Sequence, residues 1–594
     1  MKGEISVQTQ HIFPVIKRWL YSEKDIFLRE IVSNACDAVT KHKRLGDLGK
    51  TDDICDSYRI DVNVSKENKT ITVSDNGIGM SREDVDNFIN KIALSGALDF
   101  INKYEGENSD SGIIGHFGLG FYSAFMVSDT VEIKTKSFDG SESVHWSCNA
   151  DGEFEMETGD RETRGTDVIL HLTDEEFAYL DSVKLKGILT KYCGFMPYEI
   201  YFSDDENKDG EKINDTTPLW QRNPSDITDE EYIEFYKKTM GDYLDPSMWI
   251  HINADYPLNF KGILYFPKQK NDYETLESKV MLYYNQVFVA DNIKEVIPEF
   301  LMNMKGVLDC PELPLNVSRS YLQTNTYVSK VSNHIAKKVA DKINGTFNTN
   351  REGLEKIWDD VCVYVQFGCL RDRKFYDRVN GSVLYKTVDD TYVTLDEYFD
   401  GAEKKGNVYY ASSKELQGYY IDLYKKQNKK VLLMDKVIDV QFNSLLEQQN
   451  EGLKFVRVDA DLADALGAKN SEDKTTLCEF IKNAVDKKEL NINITSLEDD
   501  SFPALINIKE DSRRFSDMMK MYGGDTMGIP TEETLVVNSA NPLVIRLEKA
   551  VEDGDDNAND LAKYLYLLAL VSSRTLSGEE MKEFISLGVK LLSK

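Results

Sequence analysis

Apolar residues recur every three to four positions in the stretch FLREIVSNACDAV, which runs from Phe27 to Val39 and contains neither glycine nor proline. This period predicts an α-helix. Glu30, Asn34 and Asp37 are spaced i, i+4 and i+7, so they share one face of the helix beside an apolar stripe. Such a face is either ordinary solvated surface or part of a site, and the helix alone favours neither, because amphipathic helices are common.

Alternation of apolar and polar residues, together with short apolar runs, predicts strands in the first 200 or so residues. The predicted strands are 58–64, 70–74, 130–136, 143–148 and 166–172, with a weaker one at 4–10. A helical period predicts a helix at 11–21, and the start signal Ser-x-x-Asp predicts another at 81–92. We therefore expect an α+β first domain, with a mixed sheet and helices on one face.

Glycine-rich stretches interrupt these elements at three points. DNGIG at 75–79 follows a strand, GHFGLG at 115–120 precedes a predicted helix start, and GT at 165–166 opens a strand. Any one of them marks a plain turn more often than a site. With the helix they give ExxxNxxDA, DxGxG, GxxGxG and GT in order, within about 140 residues. This set resembles the GHKL ATPases, which include gyrase B, the ninety-kilodalton heat-shock chaperones, MutL and the histidine kinases.

The residue types in these motifs suit the binding of an adenine nucleotide. Asp75 stands at the end of a strand, where its carboxylate can accept a hydrogen bond from the adenine amino group. Gly77 and Gly79 lack a Cβ and let the backbone approach the ring, and Thr166 offers a hydroxyl to the same place. The glycines of 115–120 leave free N–H groups, which bind phosphate oxygens.

The helix face supplies groups suited to hydrolysis. Asn34 offers a neutral oxygen for Mg²⁺, and Glu30 can orient a water and accept its proton during attack on the γ-phosphate. The resemblance implies the same roles for Glu30, Asn34 and Asp75. The residues expected to bind the nucleotide are Asn34, Asp37, Asp75, Gly79, Met80, Gly115, Phe117, Gly118, Leu119, Gly120, Phe121 and Thr166.

Residues 95–115 are rich in Gly, Ser, Asn and Asp and lie between two of the motifs. They form either a passive loop or a lid, and we favour the lid because glycine-flanked loops over nucleotide sites often close. One residue departs from the resemblance. Leu94 stands where relatives carry a lysine that contacts phosphate, so that contact is lost or is made by another group, such as Lys91 or Ser95.

Length and charge narrow the class of function. A chain of 594 residues predicts about three or four domains. The net charge of −31 disfavours unspecific nucleic-acid binding, although it also serves solubility. Eight cysteines without a CxxC pair favour reduced, buried thiols over a zinc site. Because neither a signal sequence nor an apolar run long enough for a membrane span is present, we expect a cytoplasmic protein without a membrane partner.

Longer stretches narrow the resemblance to the ninety-kilodalton heat-shock chaperones. They are YSEKDIFLREIVSNACDAV, WQRNPSDITDEEYIEFYK and FVADNIKEVIPEFLMNMKGVLDCPELPLNVSRSYLQ. The likeness runs from about residue 5 to the end and weakens beyond about 340. The acidic stretch 203–217 is short and the chain ends in LGVKLLSK rather than in an acidic Met-Glu-Glu-Val-Asp tail. The resemblance is therefore to the bacterial form, and co-chaperones that read such a tail are not expected.

This resemblance implies an α+β multidomain chain in four parts. They are a Bergerat (GHKL) ATP-binding α/β sandwich at 1–202 with a lid at about 95–115, an acidic linker at 203–217, an α/β middle domain at 218–470 and a mainly helical dimerisation domain at 471–594. The implied function is that of an ATP-dependent chaperone, a homodimer whose ATP-driven clamp binds and remodels non-native client proteins. Two alternatives stay open: a DNA-handling GHKL ATPase of the gyrase B or MutL type, and a scaffold with an inactive ATP site.

Arg319, in LPLNVSRSYLQ, is the second residue to which the resemblance gives a catalytic role. On the residues alone, an arginine here is more often a surface residue or part of a salt bridge. The resemblance implies that it reaches the γ-phosphate, where an arginine can stabilise the phosphoryl group during transfer.

Two features near the C-terminus predict contacts with other proteins. NDLAKYLYLLALVSS at 559–573 is apolar on nearly every face, so it is buried within the chain or, as the resemblance implies, in a dimer. Phe515, Met518, Met519 and Tyr522 form one stripe at helical spacing. The stripe is either a core face or an adaptable surface for client proteins, and we expect the second, because methionine suits such surfaces.

Overall fold

The computed structural model describes residues 23–593, with internal gaps at 54, 56, 93, 105–111, 116–117, 269–278, 292–295, 302, 314–325, 461–473, 497–499, 511 and 515–532. It divides into two compact units, residues 1–339 and residues 340–594. The strand predicted at 4–10 and the helix predicted at 11–21 lie outside the described residues.

In the described residues, the first part of the first unit contains four helices and a sheet of eight strands. The helices are α1 (Ile26–Asp47), α2 (Arg82–Phe88), α3 (Gly96–Tyr104) and α4 (Ser182–Cys193). The strands are β1 (Arg59–Ser65), β2 (Thr70–Asp75), β3 (Ser128–Lys136), β4 (Val144–Asn149), β5 (Phe154–Thr158), β6 (Gly165–Leu172), β7 (Glu199–Asp204) and β8 (Glu211–Lys212). Two 3-10 helices accompany them, Gly120–Met126 and Asp174–Leu180.

The strand order of this sheet is β5-β4-β3-β6-β2-β1-β7-β8. The β1–β7 pair is parallel and the neighbouring β1–β2 pair is antiparallel, so the sheet is mixed, as predicted. Alternation in β1 buries Ile60, Val62 and Val64 on one face. Helix α1 packs across β1, β2 and β6, and the apolar side of the helix joins the same core.

The acidic stretch predicted as a linker, 203–217, differs from that expectation. Strand β7 extends into it, and β8 within it pairs with β7 as an antiparallel edge hairpin. Asn214 is buried, accepts a hydrogen bond from the Ile200 amide (2.8 Å) and donates to the Met196 carbonyl (2.9 Å). An edge strand with a polar outer surface has the composition of a linker, so the sequence could not separate the two.

A second sheet of five strands follows within the first unit. Its strands are β9 (Met248–Ala254), β10 (Phe260–Phe266), β11 (Lys279–Tyr284), β12 (Val287–Ala290) and β13 (Lys305–Asp309), in the order β12-β11-β13-β10-β9. Nearly every residue of β10 is buried, as in a strand covered on both faces. Two 3-10 turns, Leu219–Gln221 and Pro224–Asp226, and helix α5 (Asp229–Met240) precede the sheet in the chain. A further 3-10 turn, Glu299–Leu301, lies between β12 and β13.

The second unit begins within a helix, α6 (Thr326–Thr349). Its other helices are α7 (Arg351–Arg371), α8 (Arg373–Val379), α9 (Leu395–Tyr398), α10 (Lys414–Lys426), α11 (Asp439–Gln449), α12 (Thr475–Ala484), α13 (Pro542–Asp553), α14 (Ala558–Val571) and α15 (Gly578–Leu592), with a 3-10 turn at Asn380–Ser382. Its strands are β14 (Tyr385–Lys386), β15 (Tyr392–Val393), β16 (Gly406–Ala411), β17 (Val431–Leu433), β18 (Leu453–Arg457), β19 (Asn491–Thr495), β20 (Ala504–Ile508) and β21 (Glu533–Asn538). They form a β14–β15 hairpin, a parallel sheet β17-β16-β18 and a mixed sheet β19-β21-β20.

The C-terminal helices carry the predicted start signals. Pro542 occupies the first turn of α13, and Ser577 with Glu580 forms a capping box at the start of α15. The apolar helix α14 is covered from within the chain by α12, α13, α15 and β20. Within the described ranges, no helix is long and apolar enough to cross a membrane.

Candidate functional site

The polar face of α1 does not point to solvent. Glu30 is only 4% exposed, and Glu30, Asn34 and Asp37 line a cavity of about 300 Å³ in the first unit. On the other side of the helix, Leu28 and Val32 are buried in the apolar core. This face of the helix therefore borders a cavity and is not ordinary solvated surface.

The turn after β2 brings Asp75 to the same cavity. Asp75 lies opposite Thr166 in the β2–β6 ladder, and both residues line the cavity. The Gly77 amide donates to Asp75 Oδ1 (2.7 Å), which fixes the carboxylate at the mouth of the strand. Burial raises the pKa of the Asp75 carboxyl to about 7, although the Gly77 hydrogen bond opposes the shift.

The two glycines of this turn are required by packing. A Cβ on Gly77 would overlap the backbone of Ala38 in α1. Gly79 has a φ of +66°, and a Cβ there would overlap the Lys136 carbonyl. Gly79 lines the cavity. We had expected both glycines to let the backbone approach the ring; they also let the turn pack between α1 and β3.

Thr135 is a buried hydroxyl that the sequence did not single out. Its Oγ1 accepts from the Met80 amide (2.9 Å), donates to the Gly165 carbonyl (3.1 Å) and lies 3.0 Å from Thr166 Oγ1. When Thr135 donates to Gly165, Thr166 donates to Thr135, and the lone pairs of Thr166 then face outward as acceptors. Thr135 therefore sets the direction in which Thr166 offers its hydroxyl.

Asp37 holds the glycine-rich loop with both carboxylate oxygens. The Ile114 amide donates to Asp37 Oδ1 and the Gly115 amide donates to Asp37 Oδ2, each at 2.7 Å. A Cβ on Gly115 would lie 2.8 Å from Asp37 Oδ2, so the loop sits directly on the carboxylate. Asp37, expected to contact the nucleotide, is thus already engaged by the loop.

The rest of the loop packs against the same helix. Gly118 has a φ of +65°, and a Cβ on Gly120 would lie 2.6 Å from Glu30 Oε2. Gly115, Gly118, Gly120 and Phe121 line the cavity, whereas Leu119 packs against the core. The expected helix after the loop is the 3-10 helix Gly120–Met126.

Glu30 is paired with its neighbour Arg29. Arg29 Nη2 and Nε donate to Glu30 Oε1 (2.7 and 3.0 Å), and both side chains are buried. Arg29 Nη1 also reaches the Phe288 carbonyl of β12 (3.5 Å). One carboxylate oxygen is therefore held by the guanidinium, and the other lies against the glycine-rich loop.

The predicted lid borders the cavity through α3. Gly96, Asp99, Phe100 and Lys103 are among the α3 residues that line it, and Ser95 donates to the Gly115 carbonyl (2.9 Å). The remainder of the predicted lid, 105–111, lies outside the described residues.

The charge missing at Leu94 is not supplied by Lys91. Lys91 donates to Asn87 on the surface (2.6 Å) and is not part of the cavity wall, so our suggestion that it replaces the usual lysine is wrong. Lys41 and Lys103 line the cavity instead. Over the described ranges, neither ammonium group makes a hydrogen bond or ion pair. Burial lowers the pKa of Lys41, with Asp37, Asp84 and Asp99 opposing the shift.

Several predicted residues lie outside the described residues: Phe117, Arg319 and the stripe Phe515, Met518, Met519 and Tyr522. The stripe follows an ion cluster at 510–514. Arg513 is buried and pairs with Glu510, and Arg514 pairs with Glu510 and Glu447. The buried carboxylate of Glu510 therefore holds both arginines, which stand directly before the stripe in the chain.

Two family models match the chain. The model described as "Histidine kinase-, DNA gyrase B-, and HSP90-like ATPase" matches residues 22–163, and the model described as "Hsp90 protein" matches residues 202–593. The first match contains the helix, the Asp75 turn and the glycine-rich loop that form the cavity.

Curated relatives cover nearly the full chain. A protein of Bacteroides thetaiotaomicron named "Chaperone protein HtpG" is 40% identical over 91% of this chain and 84% of its own length. One of the same name from Porphyromonas gingivalis is 39% identical over 98% of this chain and 89% of its own. A third, from Fusobacterium nucleatum, is 31% identical over 95% of both chains.

Proposed function

The chain belongs to the Hsp90 protein family, and from that premise we propose that it is an ATP-dependent molecular chaperone that binds and remodels non-native proteins. The observation that carries the proposal is the cavity in which Glu30, Asp75 and the glycine-rich loop meet. The DNA-handling alternative is not favoured, because the Hsp90 model covers residues 202–593.

In this proposal the cavity binds ATP. Its volume of about 300 Å³ falls within the range of ligand sites. The adenine amino group would donate to the Asp75 carboxylate, with Thr166 beside it. The phosphates would meet the amides of 115–120, a loop that Asp37 holds by the hydrogen bonds to Ile114 and Gly115.

The donor set also fits Mg²⁺. Asn34 presents a neutral amide oxygen between Glu30 and Asp37 on one helix face, and Mg²⁺ prefers few protein oxygen ligands plus phosphate and water. We propose that Asn34 holds the ion. When bound, Mg²⁺ supplies positive charge to the phosphates.

Hydrolysis to ADP and phosphate would use Glu30 as the general base. The ion pair with Arg29 orients the Glu30 carboxylate. Glu30 Oε2 lies beside the glycine-rich loop, because a Cβ added to Gly120 would be only 2.6 Å from this oxygen. From there Glu30 can orient a water and accept its proton. Lys41 and Lys103 would provide the positive charge that Leu94 cannot, and Arg319 would reach the γ-phosphate in the closed clamp.

The homodimer in this proposal rests on the last helix. Met581, Ile585, Val589 and Leu592 form one stripe of α15, and Ile585 and Val589 are 57% and 64% exposed. An exposed apolar stripe of this kind is a protein-contact surface, and a second copy of the chain would cover it.

The remaining parts of the proposal concern partners and place. Non-native clients would bind at the stripe Phe515, Met518, Met519 and Tyr522, in a cytoplasmic protein. We expect neither a nucleic-acid nor a membrane partner.

The experiment that tests the function measures two activities of the full chain together. We expect Mg-ATP turnover and ATP-dependent suppression of the aggregation of an unfolding client, with Glu30→Gln losing turnover. Glutamine is chosen because its amide oxygen can still accept the hydrogen bonds that Arg29 donates, whereas alanine offers no acceptor. A chain that hydrolyses ATP without any effect on the client would contradict the chaperone assignment.

A further inference from the structure

Three consecutive backbone carbonyls of the Asp75 turn are held by two arginines. Arg161 Nη2 donates to the Asp75 carbonyl (3.2 Å). Arg164 Nη1 donates to the Asn76 carbonyl and to the Gly77 carbonyl (2.6 Å for the latter). Both arginines come from the loop that leads into β6, more than 80 residues further along the chain.

The two guanidinium groups are themselves fixed. Arg161 pairs with Asp167 and donates from Nε to the Thr163 carbonyl (3.0 Å). Arg164 donates from Nε to Asp53 Oδ2 (2.9 Å). The side chains of Arg161 and Arg164 are 14% and 11% exposed, so both are held against the turn with little freedom.

The backbone between the arginines explains how the loop comes so near. Gly165 has a φ of +121°, and a Cβ there would overlap the Asp75 carbonyl oxygen. Only glycine permits this approach. The next residue, Thr166, is paired with Asp75 in the ladder, so the arginine loop and the Asp75 turn are joined on both sides.

We propose that Arg161 and Arg164 are positioning residues of the nucleotide site, which hold the 75–77 turn so that the Asp75 carboxylate faces the adenine. Neither side chain lines the cavity, so both act through the turn. The inference rests on the proposed function and names residues that set the affinity for its substrate.

Charge gives the arginines a second effect on Asp75. Burial raises the pKa of that carboxyl to about 7; the Gly77 amide, Arg161 and Arg164 oppose the rise, and Asp167 adds to it. From α1, the Cys36 thiol also lies near. Loss of one guanidinium raises the pKa of Asp75 further, so less of it is ionised at pH 7. A protonated carboxyl is a poorer acceptor for the adenine amino group.

The test uses the full chain with the variants Arg164→Ala and Arg164→Lys. ADP binding is titrated by calorimetry from pH 6 to 8.5, and kcat and KM for ATP are measured alongside. We expect Arg164→Ala to weaken ADP binding about fivefold at pH 7, because a rise of one unit from a pKa of about 7 lowers the ionised fraction of Asp75 from about one half to about one tenth. This loss of ADP affinity becomes smaller at pH 8.5, where Asp75 is largely ionised. The kcat of Arg164→Ala at saturating ATP stays within about twofold of that of the parent chain. Arg164→Lys keeps the positive charge but loses the planar guanidinium and its set of hydrogen bonds. We expect its loss of ADP affinity to be smaller than that of Arg164→Ala and to change little with pH.

Arg222→Ala is the matched control. Arg222 also donates to a backbone carbonyl of this unit, that of Asp226 (3.1 Å), and neither residue lines the cavity. It should bind ADP as the parent chain does. Equal ADP affinity and equal pH profiles for the parent chain, Arg164→Ala and Arg164→Lys would overturn the inference and leave the proposed function intact. Failure of the parent chain itself to bind ADP would overturn both.

Discussion

The three carboxylates of the cavity differ in what already holds each one. Asp37 has both oxygens engaged by amides of the glycine-rich loop, and Glu30 has one oxygen engaged by Arg29. Asp75 accepts from the Gly77 amide through one oxygen. We therefore expect Asp37 to act by holding the loop, Glu30 to act on water and Asp75 to contact the base.

Asp75 should destabilise the nucleotide-free protein at neutral and higher pH. Its pKa is raised from 3.8 to about 7, so the folded state binds the proton more tightly than the unfolded chain. The resulting stability is present below pH 3.8 and is lost as pH rises through 7. Asp75→Asn should thus be more stable than the parent chain by about 4 kcal/mol at pH 8 and nearly equal to it at pH 4. Thermal melts at the two pH values check this, and a difference that does not change with pH would contradict it.

Residues of the cavity that belong to a short sequence motif could be predicted. Residues that reach the site only through tertiary contacts could not. Asp75 and Thr166 stand in short patterns whose residue types suit a nucleotide. Thr135 and Arg164 stand in no such pattern, because their roles arise from strands and loops that meet only in the folded sheet. Lys41 is one turn beyond the predicted polar face, and its access to the cavity depends on where α3 lies.

At the scale of elements, local periodicity placed the helices and strands well, whereas the polar composition of 203–217 did not reveal the edge strand within it. Helix α1 extends to Asp47, beyond the predicted Val39, and α2 begins with the predicted Ser81 cap. The 203–217 stretch reads as polar and acidic, yet its hydrogen bonds continue the sheet. The division into parts at 202, 217 and 470 stays a prediction.

Packing at the Asp75 turn predicts a large cost for a single methyl group. Gly79 has a φ of +66°, and a Cβ there would overlap the Lys136 carbonyl, so Gly79→Ala combines backbone strain with overlap. Gly140, with a φ of +82° and open space around it, is the matched control. We expect Gly140→Ala to lower the free energy of unfolding by about 1–2 kcal/mol. Gly79→Ala should lower it by roughly 3 kcal/mol or more. Equal melting temperatures for the two variants would show that the predicted overlap has no cost.

At the scale of the whole molecule, the chain is strongly acidic and leaves one apolar stripe uncovered on its last helix. A net charge of −31 opposes casual association between copies. A dimer therefore needs a specific apolar contact, and the α15 stripe is such a surface. Helix α14 is buried by other elements of the same chain. The prediction of a dimer contact in this region therefore depends on the exposed stripe of α15.

A charge placed on this stripe should separate the copies. Ile585→Glu with Val589→Glu buries two carboxylates in the proposed interface, and we expect a monomer in sedimentation at micromolar concentration. Turnover should fall as well, because the two N-terminal regions lose their high effective concentration. Ser586→Glu, on another exposed face of α15, is the control and should stay dimeric. A double variant that sediments as a dimer would place the interface elsewhere.

The central claim is that one cavity binds ATP through Asp75 and hydrolyses it through Glu30. The most direct measurement is ATP calorimetry combined with turnover on Asp75→Asn and Glu30→Gln. The account predicts that Asp75→Asn loses detectable binding, whereas Glu30→Gln binds ATP like the parent chain and loses turnover by about a hundredfold or more. Tight ATP binding by Asp75→Asn, or undiminished turnover by Glu30→Gln, would contradict it.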